Sequence, residues 1–391
     1  MPAVARVTQV ECFIVTLPRD VPYLGPLAAD EQPNPRGYFV RRGNRTIYPT
    51  VDRTVLVKIT AADGTVGWGE TYGIVAPKAV TEIINDVLAP IVAGRDPRDA
   101  ASIWDDLYDL MRVRGHFGGF YVDAIAAVDI ALWDLRGRIE NRSIAELLGG
   151  ARRTRIPAYV SGLPRATLAE RVDLAREWVG KGYRALKFAA VVSHEGVIAE
   201  ARALREGLGP DIEIMVDLHW KYTAEETIRL AEELAPYRLA FIEAPCKPED
   251  IEGQAEVAAH APMPVALGEE LRTIHEFQPR FARDCMRIVQ PEMGHTGVTQ
   301  FQAIGRMAEA SGCAVIPHAA GSVGIFIAAS LQVAATLPNL PWHEYQHSIF
   351  DRYLPLTRTT MTCAAGFYEL PAGPGHGVVP TQELLRHAVA A

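Results

Sequence analysis

The sequence predicts an α/β protein in which a closed (β/α) barrel follows a small α+β unit. Three observations carry this. From about residue 156, eight short apolar runs alternate with seven helical segments, at a spacing of about 25–30 residues. The first hundred residues lack that rhythm and contain a hairpin signal instead. Near the end of successive runs one ionisable residue recurs at the same phase, which packing alone does not require.

Taken in order, residues 6–16 and 51–60 read as strands, Asp63–Gly64 as a hairpin turn, and 66–73 as the returning strand. Helical patterns follow near 78–92 and 98–112. The segment 19–48, rich in Pro, Arg and Gly, is expected to be a long loop of the functional kind. Its Arg36, Arg41, Arg42 and Arg45, with Tyr23, suggest a lid offering cations to an anionic ligand, or a solvated loop. Residues 120–141 are apolar on most faces, the pattern of a buried helix joining the two halves. The eight runs are 156–162, 183–190, 212–220, 239–246, 264–271, 285–293, 313–321 and 342–346. The tail from about 350 breaks the rhythm and is expected to pack back on the N-terminal unit.

In a parallel barrel the reactive groups sit at the C-terminal ends of the strands. Those positions carry Lys187, Asp217 with His219, Glu243, Glu269, Glu292, His318 and Glu344. Asp217, Glu243 and Glu269 end three adjacent runs. Two carboxylates about 4 Å apart repel by roughly 4 kcal/mol at an effective dielectric near 20. A divalent cation resolves that conflict, and an all-oxygen donor set suits a hard ion, Mg²⁺ first. One such carboxylate alone would serve equally as a helix cap. Glu270, next to Glu269, is expected on the opposite face with a structural role. Strand alternation puts His219 on the face of Asp217. Glu292 can hold the ring of His318, fixing its tautomer for general-base work. Glu344 reads as a hydrogen-bonding acid or a cap, and Tyr159 as core or as an unusual acid/base.

Other functions are disfavoured. The net charge of −8 argues against nucleic-acid or anionic-membrane partners. The five cysteines are widely spaced, with no CxxC, which speaks against disulfide frameworks and zinc fingers. The first residues lack the apolar core of a signal peptide, and no run of apolar residues is long enough to span a bilayer, so a cytoplasmic location is expected. There is no GxSxG elbow, and GWGETYG (67–73) lacks the strand–turn–helix context of a phosphate fingerprint.

The ordered set GWGE (67–70), AVDIALWDLRGR (127–138), ALKFAA (185–190), VDLHW (216–220), FIEAP (241–245), LGEE (267–270), QPEMGHTGV (290–298) and IPHAAG (316–321) resembles the enolase superfamily, and within it the mandelate racemase-like acid-sugar dehydratases. The resemblance spans nearly the whole chain. It implies a modified (β/α)7β TIM-type barrel (126–347), an N-terminal α+β capping domain (1–125) and a C-terminal segment (348–391) returning to that domain. It further implies Mg²⁺ on Asp217, Glu243 and Glu269, and removal of the proton α to a substrate carboxylate. By the same resemblance His318 matches the base. Glu292 matches its partner, more often Asp in the family, and Glu344 the carboxylate after the last strand. Lys187 matches the first Lys of a KxK motif whose second position is Ala189 here, which counts against a two-base racemase. His219 matches the acid of those dehydratases with a His two residues after the first metal ligand. The expected activity is dehydration of an aldonic or aldaric acid, a galactarate-like aldarate among them, to a 2-keto-3-deoxy acid. An epimerase, racemase or cycloisomerase is the alternative within the superfamily, and a non-catalytic sugar-acid-binding barrel the alternative outside it. Family habit implies a homo-oligomer, dimer or octamer.

Overall fold

The computed structural model describes residues 5–391. Strands Val7–Leu17, Asp52–Ala61 and Val66–Tyr72 form an antiparallel sheet, and the last strand of the chain, Ala388–Ala390, adds to its edge beside Val7–Leu17. The turn at Asp63–Gly64 closes as expected: Gly64 takes φ +85°, and its N–H reaches the Ala61 carbonyl at 2.9 Å. The helical stretch expected over 78–92 is interrupted. A π-turn, Ile83–Leu88, separates two short α segments. Pro90, which has no N–H to donate, sits just past it.

The helix Gly119–Glu140 is buried along nearly its whole length, and its side chains explain how a helix so apolar stays in one place. Ala127 and Ala131 face the strand Val66–Tyr72 so closely that a Cβ on Gly69 would lie 1.9 Å from the Ala127 carbonyl oxygen, and one on Gly67 2.4 Å from that of Ala131. The two glycines of GWGE are thus contact residues between sheet and helix. Three acids buried in this helix are all satisfied, as burial demands. Asp134 accepts from the Trp68 N–H (2.9 Å) and from Arg138. Asp129 accepts from Thr299, and Asp123 from Arg272. The helix therefore ties the N-terminal sheet to loops at the mouth of the barrel.

Eight parallel strands follow: Arg155–Ser161, Ala185–Ala189, Glu213–Asp217, Phe241–Glu243, Val265–Leu267, Ile288–Val289, Ala314–Val315 and His343–Tyr345. Each of the first six pairs with the next, and the eighth pairs with the first. The Glu344 N–H reaches the Pro317 carbonyl (3.3 Å), bringing the eighth strand alongside the seventh. Tyr159, Ala185, Met215, Phe241, Ala266 and Ile288, one from each of the first six strands, and Ile316, just past the seventh, make a single buried layer inside. Tyr159 is core here, wholly buried, with the Lys187 ammonium 5.5 Å from its ring centre. A hairpin of the tail, Thr362–Ala364 with Phe367–Glu369, extends the foot of the first barrel strand.

The segment expected as a loop over 19–48 contains a small hairpin, Tyr38–Val40 with Ile47–Pro49. Of Arg36, Arg41, Arg42 and Arg45, two are paired, and none of the four lines the mouth. Arg41 is buried against Glu31 (2.7 Å) and backbone carbonyls, and Arg42 pairs with Asp30. The segment faces the mouth with Tyr23, Leu24, Thr46, Ile47 and Tyr48 instead. Among the described residues no helix is long and apolar enough to cross a membrane, and the five cysteines are unpaired.

Candidate active site

A cavity of about 460 Å³ opens at the C-terminal ends of the barrel strands, and Lys187, Asp217, His219, Glu269, His318 and Glu344 all line it. Glu243 and Glu292 lie just beneath, wholly buried. The structure thus gathers every sequence-predicted site residue in one place.

Strand register accounts for part of this. Asp217 and Glu243 are direct partners across adjacent strands. Lys187, two residues before the end of its strand, sends its ammonium to both oxygens of Glu243 (2.8 and 2.7 Å) and to Glu344 (3.0 Å). Burial opposes its charge, yet Glu243 and Glu344 hold its pKa well above the usual lysine range. Glu243 also accepts from Gln290 (2.8 Å), a residue the sequence reading passed over because a glutamine has no charge to flag it.

Loop geometry accounts for the rest, and two sequence expectations need correction. The strand ends at Asp217, so alternation does not carry His219 to the mouth. His219 and Trp220 both take φ +51°, a left-handed pair that folds the ring back until Nδ1 lies 2.7 Å from Asp217 Oδ2. The approach is too oblique for a hydrogen bond; the His219 backbone N–H supplies one, 2.8 Å to Oδ1. Burial disfavours the imidazolium, but Asp217 prevails and lifts His219 to about 9. Glu270 does not point away. Its strand ends at Leu267, and Gly268, at φ +125°, resets the alternation, so that Glu270 lines the same cavity. Its buried carboxyl leaves Oε1 without a partner among the described residues, and burial raises it to about 7.

His318 is clamped. Nδ1 lies 2.8 Å from Glu292 Oε2, Nε2 lies 2.8 Å from Glu269 Oε2, and Glu344 stands 3.7 Å away. The longer Glu292 side chain reaches the ring at ordinary hydrogen-bond distance. Burial works against a charged ring, and Glu269 with Glu344 reverses this, holding the pKa well above the imidazole range. Tyr72, on the N-terminal sheet, donates to Glu292 Oε2 (2.9 Å), and Gly294 N–H to Oε1 (3.2 Å). Glu344 takes the Ala319 N–H (2.9 Å), fixing the loop that carries His318. Farther back, buried Glu70 of GWGE accepts from Ser322, Val323, Ile325 and Phe326, anchoring the next turn. Tyr72 and Glu70 act across the junction of sheet and barrel, a contact no local motif announces.

The donor set fits a hard divalent cation. Single ligand atoms of Glu243, Glu269 and His318 lie within 4.8 Å of one another, while Asp217 is turned to its own loop. Burial, with the charges of Asp217 and Glu269, drives the Glu243 carboxyl upward against the pull of Lys187. A carboxylate crowd still short of positive charge is where a cation is stabilised.

Comparison with known proteins agrees. Residues 170–384 match the family described as "Enolase C-terminal domain-like", and residues 46–149 match the N-terminal domain of the mandelate racemase / muconate lactonizing enzyme family. The chain is 32% identical to the D-galactarolactone cycloisomerase of Agrobacterium fabrum, over 85% of this chain and 90% of that protein. It is 30% identical to the arabinonate dehydratase of Saccharolobus solfataricus, over 83% and 87%. Among solved structures, a member of the enolase superfamily from Agrobacterium tumefaciens superposes with a TM-score of 0.97 at 51% identity, over 99% of this chain and 100% of that one. A racemase from Streptomyces coelicolor with bound magnesium superposes at 0.83 with 25% identity, over 98% and 100%. With that neighbour and the cluster above, Mg²⁺ is the cofactor.

Proposed function

Because the chain belongs to the enolase superfamily, we propose that it is an Mg²⁺-dependent lyase that dehydrates an acid sugar to a 2-keto-3-deoxy acid. The observation that carries the proposal is the clamp on His318. With Nδ1 directed at Glu292, Nε2 is the ring atom on the cavity side; it is paired with Glu269 here, and with Glu269 drawn onto the metal it is free to act as the base. Asp217, Glu243 and Glu269 would hold the metal, which when bound supplies Lewis-acid stabilisation of the charge growing on the substrate carboxylate.

The remaining steps belong to the chain's own side chains. Nε2 of His318 takes the proton α to the carboxylate. The electron pair of that C–H bond forms the double bond to the β carbon, whose C–O bond breaks. His219, on the loop after Asp217, gives a proton to the departing hydroxyl, which leaves as water. The enol left behind tautomerises to the 2-keto acid. Lys187 keeps a positive charge under the carboxylate group, and Glu344 keeps the His318 loop in place. This division puts base and acid on different loops, His318 after the seventh strand and His219 after the third.

A second reading is favoured by the 32% identical relative, which is a cycloisomerase. If the oxygen on the β carbon belongs to a ring, the same proton abstraction opens the ring and nothing is lost. The two readings share His318 and differ in product mass. Acid sugars and their lactones, incubated with the protein and Mg²⁺, are assayed with semicarbazide for 2-keto acids and by mass spectrometry. A 2-keto acid lighter than its substrate by one water supports dehydration; an isomeric product supports cycloisomerisation. If no acid sugar or lactone reacts, or if His318→Asn turns over like the parent, the proposal fails.

A further inference from the structure

The cavity holds a third imidazole–carboxylate pair, one that the elimination does not use. His295 follows Glu292 by three residues, and its Nδ1 lies 2.7 Å from Asp123 Oδ1. Asp123 is buried in the helix Gly119–Glu140. Burial would raise its pKa, but His295 and Arg272 together hold it below the usual carboxylate range. Arg272 donates Nε to Oδ1 (2.8 Å) and Nη2 to Oδ2 (3.2 Å), and Nη1 to the Glu270 carbonyl (2.8 Å). The His295 ring lies on the Tyr72 ring with centres 4.4 Å apart, and the Thr71 hydroxyl holds the preceding carbonyl of Gly294 (2.5 Å). His295, Arg272 and Asp123 all line the cavity. Such immobilisation from three sides is costly unless the ring's remaining atom has work to do.

That atom is Nε2. Among the described residues nothing hydrogen-bonds it, and its neighbour Nδ1 is committed to Asp123. With Nδ1 committed to the carboxylate, Nε2 is the ring atom left to meet a substrate hydroxyl, and in the tautomer with the proton on Nδ1 it is an acceptor. Asp123 cancels the charge of Arg272, so the cluster has no surplus cation with which to meet a second carboxylate. The arginines of residues 36–45 do not make up the deficit: Arg41 and Arg42 are paired with Glu31 and Asp30, and none of Arg36, Arg41, Arg42 and Arg45 lines the cavity.

We infer that His295, oriented by Asp123, is a specificity-determining residue that accepts a hydrogen bond from a hydroxyl on the far end of the substrate. The substrate class is therefore a monocarboxylic acid sugar with a neutral, hydroxylated end, in preference to an aldarate. The inference rests on the reading of the site as one for acid sugars.

Its test is binding, which needs no turnover. The Mg²⁺-loaded His318→Asn protein is titrated by calorimetry with a panel of aldonates, the matching aldarates, and 2,3-dihydroxybutanoate, which lacks the far hydroxyls. The best aldonate is expected to bind most tightly. His295→Leu in the same background is expected to weaken it by about tenfold, the worth of one hydrogen bond, and to leave 2,3-dihydroxybutanoate unchanged. His295→Gln, which keeps an acceptor, is expected to restore most of the loss, and it separates this role from a folding defect. The inference is overturned if His295→Leu weakens long and short acids alike, if it weakens neither, or if an aldarate binds tightest. The enzymatic reading fails separately: the pattern can hold in calorimetry while the parent turns nothing over, and turnover can persist with kcat/KM for aldonates untouched by His295→Leu.

Discussion

Replacing Glu292 with Gln keeps the shape of the side chain and removes its charge. Both oxygens of Glu292 are acceptors: Oε2 faces His318 Nδ1 (2.8 Å) and the Tyr72 hydroxyl (2.9 Å), and Oε1 faces the Gly294 N–H (3.2 Å). An amide has one oxygen for these two positions. Either its NH₂ meets Gly294 N–H, or it meets His318 Nδ1, and each arrangement opposes two donors. The cost to stability is about 1–3 kcal/mol for a buried group left unsatisfied. The cost to catalysis is larger, because the imidazolium formed when Nε2 takes the proton loses the anion beside it. A drop in kcat of about 10²–10⁴-fold is expected, the range of a lost general base. Tyr72→Phe removes one donor and no charge, so it should cost less than Glu292→Gln in kcat. The assay is initial rate of 2-keto acid formation at saturating Mg²⁺, with urea unfolding as the control for stability. An unchanged kcat in Glu292→Gln, or a larger loss in Tyr72→Phe, would refute the assignment of Glu292 as the partner of the base.

Further outcomes follow from the same structure. Gly69→Ala should lower the free energy of unfolding by about 1–3 kcal/mol or prevent folding, because the added methyl would lie 1.9 Å from the Ala127 carbonyl; denaturant titration measures this. Wholly buried His343 has its pKa pushed down to about 4 by burial, with Nε2 against Ser330 (2.9 Å) and Nδ1 against the Glu344 carbonyl (3.0 Å). Between about pH 6.5 and 4 the unfolded chain binds more protons at this site, so stability falls as pH falls through that window, by roughly 3 kcal/mol in all. In His343→Gln that part of the acid limb should flatten. Lys187→Met strands Glu243 and Glu344, and in chelator should cost about 3–5 kcal/mol; added Mg²⁺ should raise the Tm of this variant more than that of the parent, as read by calorimetry.

Much of the site was legible because the barrel repeats. A strand every 25–30 residues puts its last polar residue at one rim, so phase alone collected Lys187, Asp217, Glu243, Glu269, Glu292, His318 and Glu344. The same logic misled where a strand stopped early. Past Leu267 and Asp217 the chain turns through Gly268 and through His219–Trp220, all with positive φ, and alternation no longer says where a side chain points. Glu270 was misplaced for that reason, and His219 was placed correctly on an argument that does not apply. Arg41 and Arg42 of the 19–48 segment looked available because their partners, Glu31 and Asp30, sit in the same unpatterned stretch. Tyr72, Gln290 and the Asp123–Arg272–His295 cluster stayed hidden because their meaning lies in contacts between distant segments: 220 residues separate Tyr72 from Glu292, and 172 separate Asp123 from His295.

The most direct measurement is a crystal structure of the His318→Asn protein grown with Mg²⁺ and a bound acid sugar. The expected result is one ion touching Asp217, Glu243, Glu269 and the sugar carboxylate, with the α carbon turned toward position 318. An ion held elsewhere, with Glu243 still engaged by Lys187 and Asp217 still beside His219, would contradict it.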